Sequence, residues 1–272
     1  MQESKTQNSA TQIIRQWLTV VMVLMAIAIN GYSNIFPPAG KNTGEVSNIV
    51  LGGVLITPAG YAFAIWGLIY IGLITYSIYQ ALPAQRHEPA FTAASWGIIG
   101  ACVLQMIWIY VFLTYHFWWS ALLILGIVAC LIYSYLRSRS VKPTRKVRWL
   151  FQAPISIYFG WITLATVLNI AGAIYAMAIP TENVGECSGI IEASAGSVTA
   201  TVAMMCVCAG LAAVIALKYQ DASYPAVAVW ALCAIAIRQT AILPIAVAGV
   251  ALAVGLCIVI VHIKFPRRSS AS

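Results

Sequence analysis

The chain has 272 residues, 61% of them hydrophobic and only 8% charged, with a formal net charge of +8. Soluble domains are about half apolar and about a quarter charged, so this composition excludes an ordinary soluble globule, a disordered chain, a coiled coil and a disulfide scaffold, and leaves an integral helical membrane protein. The positive charge is concentrated beside apolar runs, six Lys and Arg between Arg137 and Arg148 and then Lys264, Arg267 and Arg268, which suits anchoring against anionic lipid and not nucleic-acid binding.

Crossing about 30 Å of hydrocarbon takes roughly 20 apolar helical residues, because no water is there to satisfy the backbone. Eight segments are predicted to do so, at about 17–36, 61–82, 92–114, 117–136, 152–178, 196–217, 225–237 and 241–263. The first is too long for a signal-peptide core and lacks a small-residue cleavage site, so it reads as a retained helix. The second carries Tyr61, Phe63, Trp66, Tyr70, Tyr76 and Tyr79, and the four-residue step from Trp66 to Tyr70 puts both on one helix face. The third carries Gln105 and Trp108, three apart and also on one face. Almost no loop separates the third from the fourth, which makes them antiparallel neighbours. Tyr110, Tyr115, Phe117, Trp118 and Trp119 crowd that turn, and amphipathic rings favour the headgroup level.

On the fifth segment Tyr158, Trp161, Ala165 and Asn169 form one stripe of two rings, a small residue that opens room, and an amide. The last three segments are rich in Ala, Val and Ile, and the seventh is short, with Arg238 after it expected to snorkel outward. With the N-terminus inside, eight spans put thirteen of the fifteen Lys and Arg on the cytoplasmic side and leave only Lys41 and Arg238 outside. The expectation is a multi-pass protein of the bacterial inner (cell) membrane with both termini cytoplasmic.

No catalytic constellation is visible. His87, His116 and His262 have no carboxylate or cysteine partner by spacing, and Cys206-Val207-Cys208 has the wrong spacing for a redox pair. The sequence predicts no enzyme, no metal, no disulfide and no required cofactor. None of the first six segments has an ionisable residue near its centre, which argues against proton coupling or voltage sensing. Neutral polar and aromatic residues remain. Gln105 and Asn169 either tie helices together or meet a ligand's polar edge, and the Trp and Tyr rings either fill volume or wall a pocket. Three helices each offering a Trp near a neutral polar partner favour an apolar small-molecule site with a few directed polar groups. Facing indoles suit a flat conjugated ligand. The alternatives are a secondary transporter of another neutral organic solute, which would show repeats and broken helices, and a non-catalytic membrane assembly or regulatory protein.

The run from Thr57-Pro58-Ala59-Gly60-Tyr61 to Trp66-Gly67-Leu68-Ile69-Tyr70 resembles the second-helix signature of the TspO/MBR family, the tryptophan-rich sensory or translocator proteins. Gln105-Met106-Ile107-Trp108 resembles the family's third-helix Asn-x-x-Trp, and Trp161-Ile162-Thr163-Leu164-Ala165-Thr166-Val167-Leu168-Asn169 resembles its fifth-helix run. Departures are Gly60 and Ala64 where the family often has Trp and Pro, Gln105 for Asn, Tyr110 for Pro, and Pro154 four residues before Tyr158. The resemblance implies an all-α fold, a five-helix TspO-like bundle extended here by three transmembrane helices. It implies a porphyrin or related tetrapyrrole as ligand, with receptor or transport roles, and a homodimer as the assembly of short members. The stripes on the second, third and fifth helices predict ligand-binding residues Trp66, Tyr70, Gln105, Trp108, Tyr158, Trp161, Ala165 and Asn169 under an outer loop at 37–57, and the resemblance matches Trp66, Trp161 and Ala165 to the family's pocket wall and Asn169 to the family's Asn. Hydropathy and charge together with the resemblance predict a cytoplasmic segment at 1–16, the five-helix domain at 17–178, an acidic outer loop at 179–195, the extension at 196–263 and a basic tail at 264–272.

Overall fold

The computed structural model describes residues 2–177 and 195–265. Cys187 with the loop around it, and Arg267 and Arg268 of the basic tail, lie outside the described residues. Every regular element among the described residues is helical: α1 (Gln2–Ile35), α2 (Ile65–Ala81), α3 (Pro89–Leu113), α4 (Phe117–Ser138), α5 (Ala153–Met177), α6 (Ala195–Tyr219), α7 (Ser223–Arg238) and α8 (Leu243–Lys264), with short helical turns between them. Seven stretches are long and apolar enough to cross a membrane: Ser9–Ile35, Gly60–Ala81, Pro89–Leu113, Phe117–Ser138, Arg145–Met177, Gly196–Tyr219 and Leu243–Lys264. The chain is an all-α, multi-pass integral membrane protein. The remaining helix, α7, has 16 residues, so at 1.5 Å per residue it is about 24 Å long.

The helix limits follow from local chemistry. Leu82 ends α2 because Pro83 follows it, and Pro89 opens α3 at a position where the missing N–H costs nothing. Tyr115, at φ 65°, makes the reversal between α3 and α4. Its hydroxyl donates to the Ala39 carbonyl at 3.3 Å, and burial, with the Glu45 carboxylate, raises its pKa. Pro154 cannot donate to the carbonyl four residues back, and a π-turn at Arg148–Gln152 stands where that bond would be. The helix α1 starts well before residue 17 because polar residues can continue a helix beyond its apolar stretch.

The residues divide into two compact units. One comprises Met1–Val46 with Ala64–Ala173, the other Ser47–Phe63 with Ile174–Ser272. In the first, α3 packs along α4 and against α1. A Cβ at Gly97 would stand 2.1 Å from Ser134 Oγ and 2.7 Å from the Cys130 carbonyl, so the closeness of α3 and α4 depends on that glycine. Phe91 stacks on Phe151 at 3.9 Å, and Tyr76 on Phe151 at 5.7 Å. In the second unit α7 packs against both α6 and α8 and buries Tyr224, Val227, Ala228, Ala231, Leu232 and Ile235. Asp221 Oδ1 accepts from the Ser223 N–H at 2.9 Å, closing the turn from α6 into α7. Trp118 and Trp119 are 54% and 64% exposed, as residues at a headgroup level would be.

Candidate functional site

The first turn of α2 presents Trp66, and the next turn Tyr70. Their rings lie 5.6 Å apart at 32°, and both side chains are half-buried. Trp66 also meets Tyr158 of α5, edge-on at 6.3 Å. Tyr158 is wholly buried and donates its hydroxyl to Gln105 Oε1 of α3. Four of the eight expected residues, on three helices, therefore form one contiguous group: Tyr70, Trp66, Tyr158 and Gln105.

Trp108 and Asn169 form a second group. The Trp108 indole N–H donates to Asn169 Oδ1 at 3.2 Å, and the Ser120 hydroxyl of α4 donates to the same oxygen at 2.5 Å. The Asn169 amide nitrogen donates to the Ala165 carbonyl at 2.8 Å. Trp108 stacks on Phe112 at 5.2 Å and 16°. In this arrangement Asn169 is a tie between three helices, and its side-chain atoms are committed to the protein. Trp161 is buried on α5 between Tyr158 and Ala165, and Ala165 is half-buried. Nothing in the sequence pattern singled out Ser120; a serine at the start of an apolar helix gives no signal of its partner 49 residues away.

The polar atoms of the first group are not all committed. The Tyr70 hydroxyl is buried and has no hydrogen-bond partner among the described residues. Gln105 accepts from Tyr158 through its oxygen, while its amide nitrogen donates no hydrogen bond there. A buried unpartnered hydroxyl costs about 1–3 kcal/mol. The hydroxyls of Thr43, Ser47, Thr57 and Ser77 are also buried without partners among the described residues. Ser77 differs from Tyr70 in reach: a helical serine can rotate onto the carbonyl four residues back, here Leu73. A phenol, held at the far side of its ring, cannot reach its own backbone.

A separate buried polar set involves a residue that hydropathy treats as a flank. Arg15 is 1% exposed. Its guanidinium donates to Gln12 Oε1 at 2.9 Å, Gln80 Oε1 at 3.2 Å, Ser95 Oγ at 2.8 Å and the Arg86 carbonyl at 3.5 Å. Gln16 and Gln80 bind each other's backbone across α1 and α2, with Gln16 Nε2 on the Gln80 carbonyl at 2.7 Å and Gln80 Nε2 on the Gln16 carbonyl at 2.9 Å. The Tyr76 hydroxyl and Ser95 Oγ are 2.9 Å apart. These groups join α1, α2 and α3, and the cation's partners are all neutral.

Among the described residues no group of three or more His, Cys, Asp or Glu is placed to hold a metal ion. His87, His116 and His262 are exposed, and the six described cysteines are unbridged thiols. Against known proteins, residues 16–262 match the family model described as TSPO-like protein. No curated protein and no solved structure matches the chain.

Proposed function

The chain belongs to the TSPO-like protein family, the TspO/MBR group that its motifs resemble, and on that premise we propose that it is a membrane receptor or carrier-like protein for a flat hydrophobic ligand, a porphyrin or related tetrapyrrole. The observation that carries the reading is the Tyr70 hydroxyl, buried and unpartnered beside the half-buried Trp66 ring. A tetrapyrrole offers an apolar conjugated plane and a carboxylate edge. Trp66 and Trp161 supply ring faces to the plane. The Tyr70 O–H and the Gln105 amide N–H donate to the edge. Tyr158 fixes Gln105 so that its amide nitrogen remains available, and Trp108, Ser120 and Asn169 hold the walls. The reading contains no catalytic step and needs no cofactor; the porphyrin is cargo or signal.

The same reading keeps eight spans. The short helix α7 is the seventh, both termini are cytoplasmic in a bacterial inner membrane, and residues 17–178 form the binding domain with 196–263 as its extension. Thirteen of fifteen Lys and Arg on one side support that orientation. A homodimer, the form the resemblance implies, belongs to the same proposal.

The test is a tryptophan-quenching titration of the purified protein with protoporphyrin IX, repeated on Trp66→Phe and Trp161→Phe. Saturable binding in the wild type, and several-fold weaker binding in each variant with stability largely kept, are expected. Equal affinity in both variants, or no saturable binding by the wild type, would remove the assignment.

A further inference from the structure

The segment Ser47–Phe63 begins within the helical turn Val46–Val50 and runs into the 3-10 turn Gly60–Ala64. It turns through bonds such as Val54 N–H to the Leu51 carbonyl at 3.0 Å and Thr57 N–H to the Val54 carbonyl at 3.0 Å. Helix α7 and the residue after it add bonds from a second element. Arg238 Nη2 donates to the carbonyls of Gly52 at 3.3 Å and Asn48 at 3.5 Å. Gln239 Nε2 donates to the Leu55 carbonyl at 2.7 Å, and Trp230 Nε1 to the Ala62 carbonyl at 3.0 Å. The Ala59 N–H donates to the Ala234 carbonyl at 3.1 Å. The five anchored positions, 48, 52, 55, 59 and 62, recur every three or four residues, so no stretch of the segment is left unheld for longer. Tyr61 adds an edge contact to the Trp230 ring at 5.4 Å.

These are costly residues to place on an apolar helix unless they are used. Arg238 closes the last turn of α7 and is half-buried, and Gln239 is 8% exposed. A guanidinium favours carbonyls left open at the end of a helical turn. The turn Val46–Val50 and the bend after it leave such carbonyls at Asn48 and Gly52. Arg238 is thus directed at this segment and not only at a headgroup. Gly53 makes room on the same segment: a Cβ there would stand 2.4 Å from the Tyr175 ring and its hydroxyl oxygen.

We propose that α7 is a built-in clamp on Ser47–Phe63, with Arg238, Gln239 and Trp230 as its positioning residues, and that the clamp limits the rate at which ligand reaches and leaves the Trp66–Tyr70 group. The link is the chain itself. The clamped segment passes through the 3-10 turn Gly60–Ala64 directly into α2, and Trp66 follows Phe63 by three residues. The anchored Ala62 carbonyl lies four residues before Trp66 along the chain. The second half of this proposal rests on the porphyrin reading above; the first half does not.

The experiment uses the full-length protein in detergent micelles. Arg238→Met keeps the apolar stem and removes the donors; Gln239→Leu removes the other side-chain donor; both are made singly and together. Amide hydrogen exchange over 47–63 is read first, and stopped-flow quenching by protoporphyrin IX second. In the double variant, exchange over 47–63 rises about tenfold or more while α3 and α4 keep wild-type protection, and porphyrin association and dissociation both quicken several-fold. Should the double variant unfold, the single Gln239→Leu, losing one neutral hydrogen bond, carries the same test at smaller amplitude. Unchanged exchange over 47–63 overturns the clamp. Faster exchange with unchanged porphyrin rates overturns its control of access. Wild-type protein that binds no porphyrin overturns the functional reading instead, and the exchange result then decides the clamp alone.

Discussion

Arg15 and Tyr70 both place polar atoms inside the first compact unit, and they use them in opposite ways. Arg15 commits its guanidinium to Gln12, Gln80, Ser95 and the Arg86 carbonyl. Tyr70 finds no hydrogen-bond partner for its hydroxyl among the described residues, although its ring meets Trp66, which in turn meets Tyr158. A buried network with its acceptors in place fixes the geometry of the helices that contribute to it. A buried donor without an acceptor is a cost that a ligand can remove. The contrast separates what holds the bundle from what the bundle offers.

The largest effect is expected on the committed side. Arg15→Met withdraws a cation from four acceptors on α1, α2, α3 and the loop between the last two, and hydrogen bonds from a charged donor contribute about 1.5–3 kcal/mol each when lost. A drop in stability of about 3 kcal/mol is expected in thermal unfolding in micelles, with porphyrin affinity in the folded fraction unchanged. A similar loss of affinity in the folded fraction would erase the distinction between the two sets.

Asn169→Leu tests the boundary of the site. It leaves the Trp108 N–H and the Ser120 hydroxyl without their shared acceptor, and a loss of about 1–2 kcal/mol follows. Because both Asn169 side-chain atoms are already engaged, affinity measured by the same titration is expected to change less than about twofold, which is under 0.5 kcal/mol. A larger change would move Asn169 from the walls into the ligand's contacts.

Much of this was legible in the sequence. Hydropathy marked the spans because a helix in hydrocarbon must be apolar over its whole length. The 3-4-4 spacing of Tyr158, Trp161, Ala165 and Asn169 identified one face of α5, and the pairs Trp66–Tyr70 and Gln105–Trp108 identified faces of α2 and α3. The sequence left open whether Gln105 and Asn169 were ties or ligand contacts. That choice depends on the third partner, Ser120 for Asn169 and Tyr158 for Gln105, and spacing within one helix carries no information about a partner on another. Arg15 reads as an inside charge at the edge of a span; the acceptors that make its burial tolerable include Gln80 and Ser95, 65 and 80 residues away. The clamp was harder still to foresee. Its acceptors are main-chain carbonyls 168 to 190 residues from their donors, and a carbonyl has no identity in a sequence.

The most direct test of the central claim is Tyr70→Phe, with Ser77→Ala as its control, each measured for unfolding temperature and protoporphyrin IX affinity on the same preparation. Removing an unpartnered hydroxyl from the ligand-free protein should leave stability equal or slightly higher. Removing a donor to the porphyrin's carboxylate should weaken binding about fivefold, the equivalent of one hydrogen bond of about 1 kcal/mol. Ser77→Ala should move neither quantity. Stability unharmed with affinity reduced in Tyr70→Phe is the predicted result; equal affinity, or a fall in stability as large as that in affinity, would mean that Tyr70 belongs to the core and the aromatic group is packing alone.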